Sequence, residues 1–392
     1  MSEEMKNLNE QPAEAPAVEK KPLDKKTIGI IAGVAAAVVV LAIILIVALG
    51  GNSTPTGPVL NDYTLGMGVA FGDFKIGEIN MTAATVVLDK DGKIVACKID
   101  ALQNKFAADF DNDSYTLKVL QTKKELKDAY GMATSQWSSD NDEDGRILEW
   151  YKQAEAFEAW CIGKTIAQVE AAGKEENLQN VHDHWITTDE SLLSAGCTIQ
   201  IGEFVNAVVK AGNDAAKVSF QSEGNFTLGL AANNSDNGSS VANDVATIKL
   251  NSDIAAVVVE GGKTLAVLND AVQPQIVYDY DSNVTDKGVG KGNEVYKTKR
   301  ELGTDYGMST SQWSSDNDED GRILEWDQQS AAFSAFVTGK TSAQIADLGA
   351  ESNLQNVHDH WISTDADLLA AGCTIQIGGI VDVVVEAIAN AN

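Results

Sequence analysis

TDESLLSAGCTIQIG, residues 188–202, returns as TDADLLAAGCTIQIG, residues 364–378. In both places a polar pair that opens a helix leads into Ala-Gly-Cys-Thr, and an apolar, helix-like run follows. Ahead of each copy stands a longer duplicated block. Residues 130–150 and 306–326 differ only at Ala133 against Ser309, and NLQNVHDHW recurs at 177–185 and 353–361. Two units this large make a tandem pair and not a solenoid. The reading is two editions of one domain, residues 61–212 and 218–392, joined by a segment too short to let them move far apart.

Outward from these blocks, the start of each domain reads as strand. Residues 63–71 and 76–88 are alternating or rich in β-branched residues, Asp89-Lys90-Asp91-Gly92 is a turn signal, and 93–99 alternates again. The second domain repeats the plan at 226–230, 255–259 and 263–268, with Gly261-Gly262 as the turn. Helical spacing takes over later: Ile147, Trp150, Tyr151, Ala154, Phe157 and Trp160 share one face. Thr165 with Gln168 and Thr341 with Gln344 form capping boxes. The expected fold class is α+β: two tandem repeats, each a small antiparallel sheet followed by packed helices, preceded by one transmembrane helix.

That helix is expected at residues 27–50, which carry no charge and are nearly all Ala, Val, Ile, Leu and Gly. Residues 1–26 read as a disordered tail on the cytoplasmic side, because Lys20, Lys21, Lys25 and Lys26 precede the span and no basic residue follows until Lys75. Residues 51–60 read as a linker, which puts the repeats outside the cell. A cleaved signal peptide is the rival reading, though the apolar run is longer than a signal core. The net charge of −28 argues against nucleic acid as a partner. Four cysteines show no metal-ligand spacing; Cys97 and Cys161 stand where the other repeat has Val267 and Val337. They read as small buried apolar residues, and a disulfide framework is not expected.

Two motifs carry possible chemistry. Residues 140–145 and 316–321, both DNDEDG, place acids at positions 1, 3 and 5 with Gly at 6, the first half of a Ca²⁺ loop. In the second repeat Asp316, Asp318 and Asp320 are joined by Asp327 at position 12; the first repeat has Tyr151 there. The plainer reading is an acidic loop that caps the following helix. His182-Asp183-His184 and His358-Asp359-His360 hold every histidine, with no third metal ligand nearby. Trp137, Trp313, Tyr130 and Tyr306 could stack on a planar cofactor, but such aromatics are more often core residues. No Ser-His-Asp set, P-loop or GxGxxG appears.

The hairpin at 85–99 and the segments Ala195-Gly196-Cys197-Thr198 and Ala371-Gly372-Cys373-Thr374 resemble the FMN-binding domain of exported bacterial electron-transfer proteins, including a subunit of sodium-pumping quinone reductases. In that family the motif is Ser-Gly-Ala-Thr, and the Thr hydroxyl is esterified to the phosphate of FMN by a flavin transferase. The resemblance therefore implies covalent FMN at Thr198 and Thr374, with Gly196 and Gly372 admitting the phosphate. It also implies a membrane-anchored extracellular protein of a Gram-positive bacterium, serving unidentified redox partners and more a redox carrier than a catalyst of its own. Here Ala replaces the family's Ser and Cys its Ala. The competing expectation is a cofactor-free surface interaction module of the same fold, stabilised by Ca²⁺.

Overall fold

Long strands with both faces buried open each repeat. In β1 (Asn61–Lys75), β2 (Glu78–Asp89) and β3 (Ile94–Asp109), neighbouring residues are buried on opposite sides. Leu65, Met67, Val69, Ile79, Met81, Leu102 and Phe106 face one core, while Ala70, Ala84, Val86, Cys97 and Ile99 face another. A strand covered on both faces reads as a nearly continuous apolar run, as residues 83–88 do. The structure is a computed structural model that describes residues 60–118, 121–134, 148–181, 184–289, 296–310, 324–357 and 360–392.

The first sheet is antiparallel with the order β4-β3-β2-β1-β7, where β4 is Ser114–Lys118 and β7 is Val218–Ser222. β7 follows the first repeat in sequence yet pairs with β1, with Tyr63 opposite Phe220. The second sheet is built on β10 (Val245–Glu260), whose C-terminal half pairs with β8 (Thr227–Asp236) and β11 (Lys263–Val272). Its N-terminal half pairs with β9 (Ser240–Ala242) and β12 (Pro274–Asp279), and β13 (Val284–Val289) adds the last strand.

The two sheets pack face to face. One core joins Leu65, Ile79 and Met81 of the first to Leu228, Ile248 and Leu250 of the second. These six are at most 2% exposed. At about 1.5–3 kcal/mol each, their burial alone matches the net stability of an ordinary domain, about 5–15 kcal/mol. Neither repeat can keep this face in water.

Helices cover the outer faces. On the first sheet lie α2 (Trp150–Cys161), α3 (Ile166–Ala172), the short α4 (Glu190–Ser194) and the closing helix α5 (Gly202–Asn213); the preceding α1 (Lys123–Leu126) is a single turn. The second sheet carries α6 (Lys299–Leu302), α7 (Trp326–Val337), α8 (Ser342–Leu348), α9 (Ala366–Ala370) and α10 (Gly378–Ala389) in the same order. Thr165 and Thr341 close the capping boxes of α3 and α8. The closing helices lie so near the sheets that a Cβ on Gly66 or Gly229 would overlap the carbonyl oxygen of Ala211 or Ala387. Two small hairpins complete the repeats: β5 (Leu178–Val181) with β6 (His184–Thr187), and β14 (Leu354–Val357) with β15 (His360–Ser363).

The fold expected from sequence needs correction. The sheets are five- and six-stranded and share a core, so the described chain is a four-layer helix–sheet–sheet–helix sandwich with more strand than helix. No helix among the described residues is long and apolar enough to cross a membrane. Residues 27–50, read as such a helix, lie outside the described residues, as do the tail at 1–26 and most of the linker.

Candidate functional site

Each repeat anchors its identical block through the same cluster. Glu149 and Glu325, both 5% exposed, stand just before α2 and α7. The Glu149 carboxylate accepts the Met132 and Ala133 amides at 2.9 and 3.1 Å; Glu325 accepts those of Met308 and Ser309 at 2.9 and 3.3 Å. One carboxylate thereby ties together the two ends of each intervening segment. One turn on, Gln153 Oε1 accepts the Thr198 amide at 2.8 Å and its hydroxyl at 3.3 Å, while Gln153 Nε2 donates to the Leu148 carbonyl at 3.0 Å. Gln329 does the same for Thr374, at 2.8 and 3.0 Å, and for Leu324.

Beside this lies a lysine under two rings. Lys123 Nζ is 4.9 Å from the Tyr130 ring centre and 5.2 Å from that of Trp150; for Lys299 over Tyr306 and Trp326 the distances are 5.1 and 5.2 Å. Burial pulls Lys123 down to about 8, against the opposing pull of Glu203, Glu78 and Asp100. Burial likewise raises the Tyr130 phenol to about 12, helped by the charges of Glu78 and Glu149. Asp100 and Asp270 accept the Lys124 and Arg300 amides in α1 and α6, yet burial holds both up at about 6.

A carboxylate that acts on this lysine changes its origin between repeats. In the first, Glu203 of α5 accepts the Thr82 hydroxyl of β2 at 2.8 Å. Register aligns Thr82 with Asp253, since they pair with Ala101 and Ala271 on the next strands. Helix position 203 becomes Gly379, and a Cβ there would run into the Asp253 carboxylate. The acid moved from helix to strand, and the charge facing the lysine stayed.

The residues expected to hold FMN are placed as follows. Gly196 (φ 96°) and Gly372 (φ 97°) end α4 and α9. The Cys197 amide donates to Leu192 O at 3.1 Å and the Gly196 amide to Leu193 O at 2.9 Å, a Schellman-type cap. The glycines therefore terminate a helix and do not open one. α5 begins only at Gly202, so Thr198 is not at its N-terminus. Each Thr hydroxyl is half-buried and spent on a glutamine carbonyl oxygen, and a phosphoester would press its charge against that acceptor. The surroundings do not fit the phosphate. Burial pushes the neighbouring Cys197 and Cys373 thiols up to about 12.

Asp316, Asp318 and Asp320 lie outside the described residues, as do residues 140–145, His182, Asp183, His358, Asp359, Trp137 and Trp313. Asp327 is in the first turn of α7, where its Oδ1 is buried without a hydrogen-bond partner among the described residues. Tyr151, its counterpart, reaches Asp128 at 3.3 Å. No group of three metal-ligating side chains occurs among the described residues. Sequence reasoning missed Lys123, Glu149 and Gln153, though Thr-Lys-Lys-Glu-Leu at 122–126 against Thr-Lys-Arg-Glu-Leu at 298–302 announced the first.

Comparison of the chain with models of known protein families, with curated proteins and with solved structures finds no match.

Proposed function

We propose that the chain is a cofactor-free, bivalent recognition module whose two repeats bind equal determinants on one cationic partner. One observation carries this reading: a segment with an exposed tryptophan is identical in the two repeats, while several buried positions have changed. Within the core, Ile99, Ala154 and Glu158 of the first repeat are replaced by Asn269, Ser330 and Ser334. Glu158 accepts the Ile99 amide at 2.7 Å and pairs with Lys124 at 2.5 Å, whereas Asn269 bonds to both serines. Meanwhile NLQNVHDHW is unchanged, although Trp185 and Trp361 are 45% and 43% exposed. The acidic DNDEDG segments are unchanged as well. Packing does not constrain an exposed tryptophan, so its retention in both copies points to contact with a ligand. Acidic and aromatic side chains are both groups that attract a cation.

The experiment is binding of peptides bearing one or two Lys/Arg clusters. A divalent peptide binds the native chain about 10²–10⁴-fold more tightly than a monovalent one. Trp185→Ala alone abolishes that advantage. Equal affinity for both peptides overturns the reading, and so does flavin absorbance in protein purified from its own cells.

A cation in the second repeat's acidic segment is favoured by the orphaned Asp327 oxygen. Ca²⁺ then raises the melting temperature, and Asp327→Asn removes the rise. Equal melting temperatures of the native chain in Ca²⁺ and in chelator refute it.

A further inference from the structure

Cys97 and Cys161 lie far apart in sequence and together in space. Cys97 is on β3 and Cys161 is the last residue of α2, both in the core between the first sheet and its helices. Backbone bonds fasten the two elements beside them: the Gly163 amide donates to Ile94 O at 2.8 Å and the Ile94 amide to Lys164 O at 2.9 Å. Cys161 is the foremost neighbour that raises the Cys97 thiol, so the two side chains stand next to each other. Cys161 is fully buried, while Cys97 is 6% exposed and lines a cleft of about 440 Å³ bounded by Tyr63, Glu158 and Phe226.

In the second repeat the same backbone bonds recur, from Gly339 to Thr264 O at 2.8 Å and from Thr264 to Lys340 O at 3.0 Å. The two positions there are Val267 and Val337. Cysteine thus occurs at both positions or at neither. Cys197 lies in the same buried cluster and also neighbours Cys161, with the Ile199 amide facing its sulfur.

We propose that Cys97 and Cys161 are a redox pair that closes to a disulfide, stapling β3 to the end of α2 in the first repeat alone. The oxidant is a small-molecule disulfide. The Cys97 thiolate attacks one of its sulfurs and expels a thiolate, leaving a mixed disulfide in the cleft. Cys161 loses its proton, attacks the Cys97 sulfur and expels the second thiolate. Two protein thiols are oxidised and one disulfide is reduced to two thiols. The neighbouring Cys161 and burial hold the Cys97 thiol well above its ordinary range, so closure is slow and, once made, persistent. The inference stands apart from the proposed recognition of a cationic partner.

The test is incubation of the full chain with oxidised glutathione, then denaturation, alkylation and tryptic mass spectrometry. Alkylatable thiols fall from four to two, and the peptide IVACK (residues 94–98) appears linked to QAEAFEAWCIGK (residues 153–164). Dithiothreitol reverses both changes. The Cys97→Val, Cys161→Val double variant, which copies the second repeat, folds and keeps one melting temperature in either redox state, whereas that of the native chain rises on oxidation. Four alkylatable thiols after oxidation overturn the proposal, as does a Cys161–Cys197 link or an equal oxidative shift in the double variant.

Discussion

Glu386→Lys reverses an electrostatic asymmetry between the repeats. Lys210 of α5 pairs with Glu301 of α6 at 2.9 Å. At the equivalent positions Glu386 of α10 faces Glu125 of α1, like charge against like. Burial first, then Glu125 and Asp100, raise Glu386 from 4.5 to about 7. A carboxyl with a raised folded pKa binds its proton more tightly in the folded chain. Its stabilisation is full below about pH 4.5 and is lost as the pH rises through about 7. Taken at face value, the shift is worth about 3 kcal/mol. Glu386 is only partly buried, so solvent screening reduces this to about 1 kcal/mol. Lysine at 386 removes the repulsion and adds an ion pair worth about 0.2–1 kcal/mol. Thermal melts of variant and native chain, compared at about pH 8 and about pH 5, isolate the pair from the rest of the titration. The variant melts about 2–4 °C higher at the alkaline pH and within a degree of native at the acid one. A shift of equal size at both pH values, or a loss at the alkaline one, would refute the reasoning.

Gln153→Leu leaves the Thr198 amide and the Leu148 carbonyl without their partner, at about 1–3 kcal/mol for each group left buried, and denaturant titration should show a loss of about 2–4 kcal/mol. Gly229→Ala drives a methyl into the Ala387 carbonyl and should cost about 1–3 kcal/mol or more; an unchanged denaturation midpoint would contradict that close contact. Trp361→Ala, by contrast, should cost no more than about 1 kcal/mol of stability while abolishing divalent binding, since the side chain lies at the surface, 43% exposed.

The duplication was fully legible in the sequence, as were the central hairpins and the helices after Glu149 and Thr165. The strands proved longer than their apolar runs. β3 continues through Asn104 and Lys105 because β2 and then β4 still pair with it. β4 and β13 escaped notice, being short and partly exposed and carrying only a weak alternation. β7 has strand character, but nothing local to residues 218–222 says that its partner is β1, on the other side of the first repeat. The site was legible only as a repeat. Gly196 was read as a turn that admits a phosphate at Thr198, but five helical residues precede it and Gly196 ends them. Glu149 and Gln153 were legible as residues shared between copies, while their task depends on loops brought together only by the fold.

The inner face shared by the two sheets bears on ancestry. A lone ancestral repeat, with that apolar surface bare, would have closed on a second copy of itself as a homodimer. In a homodimer both partners come from one gene, so every change appears on both sides at once. Once the two copies are joined in tandem, mirror positions are free to differ: Lys210 across from Glu301 on one flank and Glu386 across from Glu125 on the other, a thiol pair in one half and two valines in the other. Fusion here let a symmetric assembly acquire two unlike halves while both kept NLQNVHDHW unchanged.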